Sequence, residues 1–203
     1  MPALMPAVVY LARHASPDWS RTDLRYDIPP GPPLTAQGEQ EAVKLGEYLK
    51  EAQITRIVAS PLDRTLHTAK LAGEQVGLSP TVDDAIAEWQ RGEPEADVLA
   101  RFLPSIERAL SDSHADGAAV LITHGGPIRL LLQHFGLPQP EVDFYRRQFD
   151  RDNPVPPSGV WRITQTANGD SEVPDLVYTP QPFRRYVAEV IPFAESSSMN
   201  RMA

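Results

Sequence analysis

Cysteine is absent from this 203-residue chain. That excludes a disulfide framework, a thiolate metal site and a cysteine nucleophile. It also fits a reducing compartment, so cytoplasmic residence is expected. A basic surplus is missing too. The formal net charge of −8 argues against a nucleic-acid-binding face, although a local arginine cluster can override it and hold a small anion. No apolar run is long enough to cross a bilayer, so no membrane partner is expected. Met1 to Ala7 has neither the basic start nor the apolar centre of a signal peptide. Gly-rich phosphate cradles are lacking as well, with no G-x-x-x-x-G-K and no G-x-G-x-x-G. Nor are there repeats or a break in composition that would mark a linker. What is present is a 41% hydrophobic content over a length that suits one domain, residues 1–203.

Val8 to Ala12 is an apolar run that stops at Arg13-His14 and is followed by Pro17. This is the pattern of a buried strand. Pro17 to Pro33 holds Pro29, Pro30, Gly31 and Pro32, too many breakers for helix or central strand. A loop this long is usually functional, and its Arg21, Arg25 and Tyr26 could face a ligand, although solvated charges are the preferred reading. Thr35 caps a helix from Gln37 to Ala52, whose Ala42, Leu45 and Leu49 recur at helical spacing. Thr55 to Ala59 is a second strand. It runs into Ser60-Pro61, which reads as an N-cap with proline at the first helical position. That helix ends at Gly77. Thr81-Val82 is a weak third strand, and Asp83 to Glu93 is irregular. A helix from Glu95 to Leu110 follows, with Pro104 inside it. Ala118 to Thr123 is the cleanest strand, and His124-Gly125-Gly126 turns from it into another helix. Order is less legible past Gly136. Gly159 to Thr166 alternates like a strand, Asn168-Gly169 signals a hairpin and Val173 to Thr179 would return. From Pro180 an arm is expected.

Strands alternating with helices predict an α/β fold, a three-layer α/β/α sandwich with a largely parallel central sheet. Small cap segments are expected at about 17–33 and 83–112, with the C-terminal arm from about 180. Three strand-to-helix junctions carry conspicuous polar groups: Arg13-His14, Ser60 to Arg64, and Thr123-His124. A parallel sheet brings all three to its carboxyl edge, where ligands bind. Two arginines, two histidines and two helix amino ends suit a doubly charged oxyanion.

The sequence resembles the histidine phosphatase superfamily, the phosphoglycerate-mutase-like fold, from about Val8 to Leu137. The family's R-H-G stands as Arg13-His14-Ala15. Its L-T-x-x-G-x-x-Q-A stands as Leu34 to Ala42, its S-P-L-x-R-x-x-Q-T-A as Ser60 to Ala69 with His67 in place of glutamine, and its T-H-G-G as Thr123 to Gly126. The resemblance implies that His14 attacks phosphorus and becomes a phosphohistidine. It implies that Arg13, Arg64 and His124 hold the non-bridging oxygens and that no metal or other cofactor is needed. Glu88, ahead of Trp89, is the expected proton donor, with Asp83, Asp84 and Glu93 as the other carboxylates in reach. Gly125 is expected beside the phosphate. Ser20 stands where the family often places a phosphate-binding asparagine, and Pro17 removes a donor. His67 reads as structural or as support for the site, His114 as part of a polar turn, and His134 as a cation near a helix end.

Glu88 and His124 lie only 36 positions apart, where the mutases of this family carry a long insertion. An open site favours water as the phosphoryl acceptor. The expected activity is hydrolysis of a small phosphorylated metabolite, with a phosphoprotein also open. A mutase-type phosphotransferase and a non-catalytic phosphate binder are the alternatives. Neither the natural substrate nor the oligomeric state is legible.

Overall fold

Alternation along two strands decides the layering. In the computed structural model, which describes residues 6–149 and 153–180, β1 (Ala7–Arg13) and the later strand Ala119–Thr123 pair in parallel. Successive side chains of a strand point to opposite faces, and here both faces are covered. Val9, Leu11 and Leu121 enter one core cluster with Phe102, Ile106 and Trp161. Ala12, Val120 and Ile122 enter a second with Leu45, Leu49 and Ala72.

The elements that supply those partners follow in chain order. They are α1 (Ala36–Glu51), β2 (Arg56–Ala59), α2 (Asp63–Val76), β3 (Thr81–Val82), a 3-10 turn (Asp84–Ile86), α3 (Glu95–Asp116), β4 (Ala119–Thr123), α4 (Gly125–His134), α5 (Gln139–Gln148), β5 (Val160–Gln165) and β6 (Asp175–Tyr178). One sheet results, ordered β3-β2-β4-β1-β5-β6. The first four strands are parallel, while β5 runs antiparallel to both β1 and β6. Helices α1 and α2 cover one face, and α3 and α4 the other. In α1, Thr35 accepts a hydrogen bond from the Gly38 amide, and of the buried stripe Leu45 and Leu49 face the sheet while Ala42 packs with Ala15 and Leu34. Burying a leucine of this kind contributes about 1.5–3 kcal/mol, so Leu45→Ala would remove a substantial part of the net stability. No helix among the described residues is long and apolar enough to cross a membrane.

Several boundaries differ from expectation for local reasons. Helix α2 begins at Asp63, with Leu62 at the cap and no side-chain cap bond, so Ser60 and Pro61 precede the helix rather than start it. Helix α3 runs through Pro104 to Asp116 and takes in His114. Its Val98, Phe102, Ile106 and Leu110 belong to the main core, so most of the expected 83–112 cap is a layer of the sandwich. Helix α5 was not legible because it buries only Val142. The Asn168-Gly169 turn forms, with Gly169 at φ 87°, but β6 is shorter than expected. The expected arm lies outside the described residues beyond Pro180.

Three central strands, β2-β4-β1, stand side by side. Arg13 is level with Thr123, and Ala59 with Ile122. The next residues of each strand therefore emerge together at one edge.

Candidate active site

His14 leaves β1 fully buried, with its amide held by the Thr123 carbonyl at 2.9 Å. Its ring Nδ1 lies 2.7 Å from the Ala15 carbonyl oxygen. A carbonyl can only accept, so Nδ1 carries the proton and Nε2 keeps a lone pair. Burial, then the Arg64 and Arg13 guanidinium charges, hold this imidazole well below its usual pKa, so it is neutral. The Tyr26 hydroxyl stands 3.1 Å from Nε2 and donates to it. Behind the ring, the Thr68 hydroxyl accepts from the Ala15 amide, and Glu41 accepts from both the amide and the hydroxyl of Ser16. Gly38 lets α1 come this close, because a Cβ there would sit 2.3 Å from the Ser16 carbonyl oxygen.

His124 ends β4 and is equally buried. Its Nε2 is 2.7 Å from the Ser60 hydroxyl, and its Nδ1 is 3.1 Å from Arg64 Nη2. Arginine only donates, so Nδ1 is the acceptor and Nε2–H points at Ser60. Ser60 thus serves the histidine across the sheet edge, where the sequence suggested a helix cap. Burial, with the Arg64 charge next, keeps His124 well below the usual imidazole range. Its ring centre is 5.3 Å from that of His14. Arg64, in the first turn of α2, is wholly buried. Its Nε and Nη1 have no hydrogen-bond partner among the described residues, a deficit that an incoming anion would answer.

Glu88 completes the group. Its Oε2 lies 3.1 Å from Arg64 Nη2 and 3.3 Å from His124 Nδ1, and its Oε1 accepts from the Trp89 amide. Burial pushes the carboxyl up from its ordinary pKa, and Arg64 only partly opposes this. The loop is pinned from α3. Arg101 donates to the carbonyls of Ala85 and Ala87 at 2.8 Å, to that of Glu88 at 3.0 Å, and to both carboxylate oxygens of Glu93 at 2.7 and 3.0 Å. All five of its N–H groups are used. Thr123 Oγ1 adds a bond to the Ile86 carbonyl. Nothing in the sequence marked Arg101, because its role depends on which way α3 faces.

A cavity of about 470 Å³ opens here, lined among others by Arg13, Tyr26, Glu88, Trp89, Gly125 and Asn153. Arg13 is buried and donates to the Val155 carbonyl at 3.0 Å. A Cβ at Gly125 would fall 2.2 Å from Asn153 Oδ1, so glycine is what admits Asn153 to the wall. The structure thus brings together His14, Arg13, Arg64, His124, Glu88 and Gly125. Ser20 is the exception. It is exposed, and its amide and hydroxyl both donate to Asp18 Oδ1 in a local turn. Arg21 and Arg25 are exposed and paired with Asp23 and Asp27, as expected of solvated charges. Tyr26 of the same loop takes the other course the sequence leaves open, with its hydroxyl on His14 and its side chain in the cavity wall. His67 is half-exposed, 4.0 Å from Glu39.

The family model for the histidine phosphatase superfamily (branch 1) matches residues 9–96 and 87–153. The chain belongs to this superfamily. A probable phosphoglycerate mutase GpmB of Citrobacter koseri is 35% identical over 112 residues, 54% of this chain and 52% of the relative. The match thus spans about half of that relative's length. Among solved structures, a mycobacterial glucosyl-3-phosphoglycerate phosphatase complexed with VO3 aligns at a TM-score of 0.64 and 19% identity, covering 85% of this chain and 98% of the other. A phosphoglycerate mutase from Bacillus anthracis aligns at 0.66 and 17%, covering 90% and 96%. At these identities the likeness is one of fold.

In this histidine phosphatase-family chain, one ligand atom each from His14, Glu88 and His124 lie within 4.8 Å of one another. By distance alone they could hold a cation. The neighbours favour an anion instead. Arg64 Nη2 already bonds His124 Nδ1 and Glu88 Oε2, the lone pairs a metal would need, and Arg13 lines the same cavity. A guanidinium on these lone pairs and a second lining the cavity raise the energy of any added cation and lower that of a phosphate dianion.

Proposed function

We propose that this chain is a phosphomonoester hydrolase that works without a metal through a phosphohistidine on His14, acting on a small phosphorylated metabolite. The observation that carries the reading is the state of the His14 ring: neutral, with Nδ1 tied to a carbonyl and the Nε2 lone pair turned to the Tyr26 hydroxyl, behind a cavity whose wall Tyr26 shares with Arg13 and Glu88. Nε2 attacks phosphorus, and the P–O bond to the leaving group breaks as Glu88 gives the departing oxygen its proton. A water then loses a proton to the Glu88 carboxylate and attacks phosphorus, and the N–P bond breaks. Arg13 and Arg64 hold the non-bridging oxygens, and His124 joins them by turning its Nε2–H from Ser60 to the phosphoryl group, where charge stabilisation counts most. The loop at 17–33 and the segment at 83–94 would form the cap, and the raised carboxyl of Glu88 suits it to carry a proton.

A mutase-type transfer is the second reading, favoured by the likeness to the probable phosphoglycerate mutase of Citrobacter koseri. A binder without turnover is the third. Incubation with p-nitrophenyl phosphate in the presence of a chelator tests them. Release that is abolished in His14→Ala and indifferent to the chelator is expected. No release above that variant would end the hydrolase reading, and loss on chelation would end the metal-free one. Phosphate passed to a second phosphorylated acid faster than to water would favour the mutase. Glu88→Gln should lower kcat/KM for an alkyl phosphate about 10²–10⁴-fold, and undiminished turnover would show that another group gives the proton.

A further inference from the structure

We infer that Tyr26 is a further catalytic residue, whose hydroxyl hands its hydrogen bond from His14 to a non-bridging oxygen of the phosphoryl group. Tyr26 has this role only if His14 is the nucleophile, so it rests on the reading above. The hydroxyl lies 3.1 Å from Nε2. A phosphorus atom poised for attack must come to about 3–3.5 Å from the same nitrogen, with three equatorial oxygens around the line of approach. The hydroxyl therefore stands where the phosphoryl group must go, and substrate has to displace it.

How far it can be displaced is limited on both sides. The Tyr26 ring lies 3.8 Å beneath the Arg64 guanidinium and stacks on Trp19 at 4.7 Å with an angle of 18° between planes. Two such partners cannot share one face of a ring, so Tyr26 is held between them. The next residue, Asp27, accepts from the Arg91 amide at 3.2 Å, which joins this loop to the one carrying Glu88. Withdrawal of the whole side chain would break the stack and the Arg64 contact together. A small pivot breaks neither, and it leaves the O–H beside the oxygens that Arg64 also serves. Tyr26 then supplies the donor that Ser20, six residues earlier, was expected to supply from the same loop.

Tyr26→Phe keeps the ring in place and deletes only the hydroxyl. Hydrolysis of p-nitrophenyl phosphate and inhibition by orthovanadate are measured beside wild type and His14→Ala. A lost hydrogen bond to a charged acceptor should lower kcat/KM about 10- to 100-fold and raise the vanadate inhibition constant by a similar factor. Turnover that depends on His14 in the wild type but is unchanged or faster in Tyr26→Phe overturns the donor role and leaves Tyr26 a plug over the nucleophile. Absence of His14-dependent turnover in the wild type overturns the nucleophile assignment itself. If Tyr26→Phe unfolds more readily, a fluorinated tyrosine at position 26 decides. With p-nitrophenyl phosphate, whose leaving group needs no proton from Glu88, an acidified phenol that donates to the phosphoryl group moves the basic limb of the kcat/KM profile to lower pH, and an unmoved limb overturns the role.

Discussion

Two loops lean over the same histidines and are built in opposite ways. Between Asp83 and Glu93 the polar groups are tied to the body of the fold. Arg101 takes three carbonyls and the Glu93 carboxylate, Thr123 takes the Ile86 carbonyl, and Ser105 donates to Asp83 at 2.6 Å. Between Pro17 and Pro33 the charges pair with residues two positions away, Arg21 with Asp23 and Arg25 with Asp27, and the Asp18 amide closes the loop on the Pro33 carbonyl. The first loop carries Glu88 and the second Tyr26. A proton donor has to be held to a fraction of an ångström, whereas a side chain standing on the nucleophile has to give way. One loop is fastened to the body by many side-chain bonds. The other pairs its charges within itself and is tied to its surroundings at a few points, Asp27 to the Arg91 amide and the Pro30 carbonyl to the Asp63 amide.

The sharpest way to break that contrast is to unfasten the acid loop. Arg101→Leu leaves three partly buried carbonyls without their donor, and we expect a stability loss on the order of 1–3 kcal/mol in urea unfolding. We also expect kcat/KM for an alkyl phosphate to fall about 100-fold, with a much smaller fall for p-nitrophenyl phosphate, whose leaving group needs no proton. Equal falls for the two esters would mean that Arg101 supports the fold and not the acid in particular.

Gly38→Ala acts at the start of the other loop, driving a methyl of α1 against the Ser16 carbonyl. Overpacking of this kind costs about 1–3 kcal/mol. The expected result is a lower unfolding midpoint together with a raised KM, and a midpoint equal to wild type would show that the loop yields freely there.

Acidity sharpens the comparison by sign. His14 loses its lone pair only below its depressed pKa, and Glu88 loses its proton above its raised one. The kcat/KM profile for an alkyl ester should therefore have a basic limb that vanishes in Glu88→Gln while the acidic limb stays. Stability follows separately. The unfolded chain's imidazoles take up protons below about pH 6.5 while the buried pair do not, so stability falls as pH drops through that value. Glu88 offsets part of this, since the fold retains its proton above about pH 4.3. A thermal unfolding series from pH 7 to 5 should slope downward on acidification, by on the order of 1 kcal/mol per unit for each histidine, and His124→Gln should flatten it.

The smallest effect is expected from the self-fastened loop. Arg25→Ala breaks an exposed pair, worth about 0–0.5 kcal/mol. Equal unfolding midpoints are the expected outcome, and a shift of several degrees would mean that the loop leans on the body more than its bonds suggest.

The same contrast explains what was legible in the sequence. Arg13, His14, Arg64 and His124 follow directly on apolar strands or stand in the first turn of a helix, so their positions depend only on strand register and sheet order. Glu88 was legible through the resemblance alone. Ser60 was read as a cap because serine before proline is a local signal, and its bond to His124 crosses 64 positions of chain. Tyr26 sits in a proline-rich loop whose path no periodicity encodes, and Arg101 on a helix face chosen by packing. Helix α5 was missed because one buried valine makes no stripe.

The place of β4 has a consequence for how the chain folds. It is the third of the three central strands to be made, yet it lies between the other two. Until Ala119 to Thr123 exists, β1 and β2 have no common neighbour, and each presents an open, apolar edge to whatever is nearby. Pairing with β4 closes both edges at once and also delivers His124 to Ser60 and Arg64. Catalytic competence should thus arrive in a single late event of folding, with no half-built pocket before it, and the interval before that event is when the chain is most exposed to aggregation.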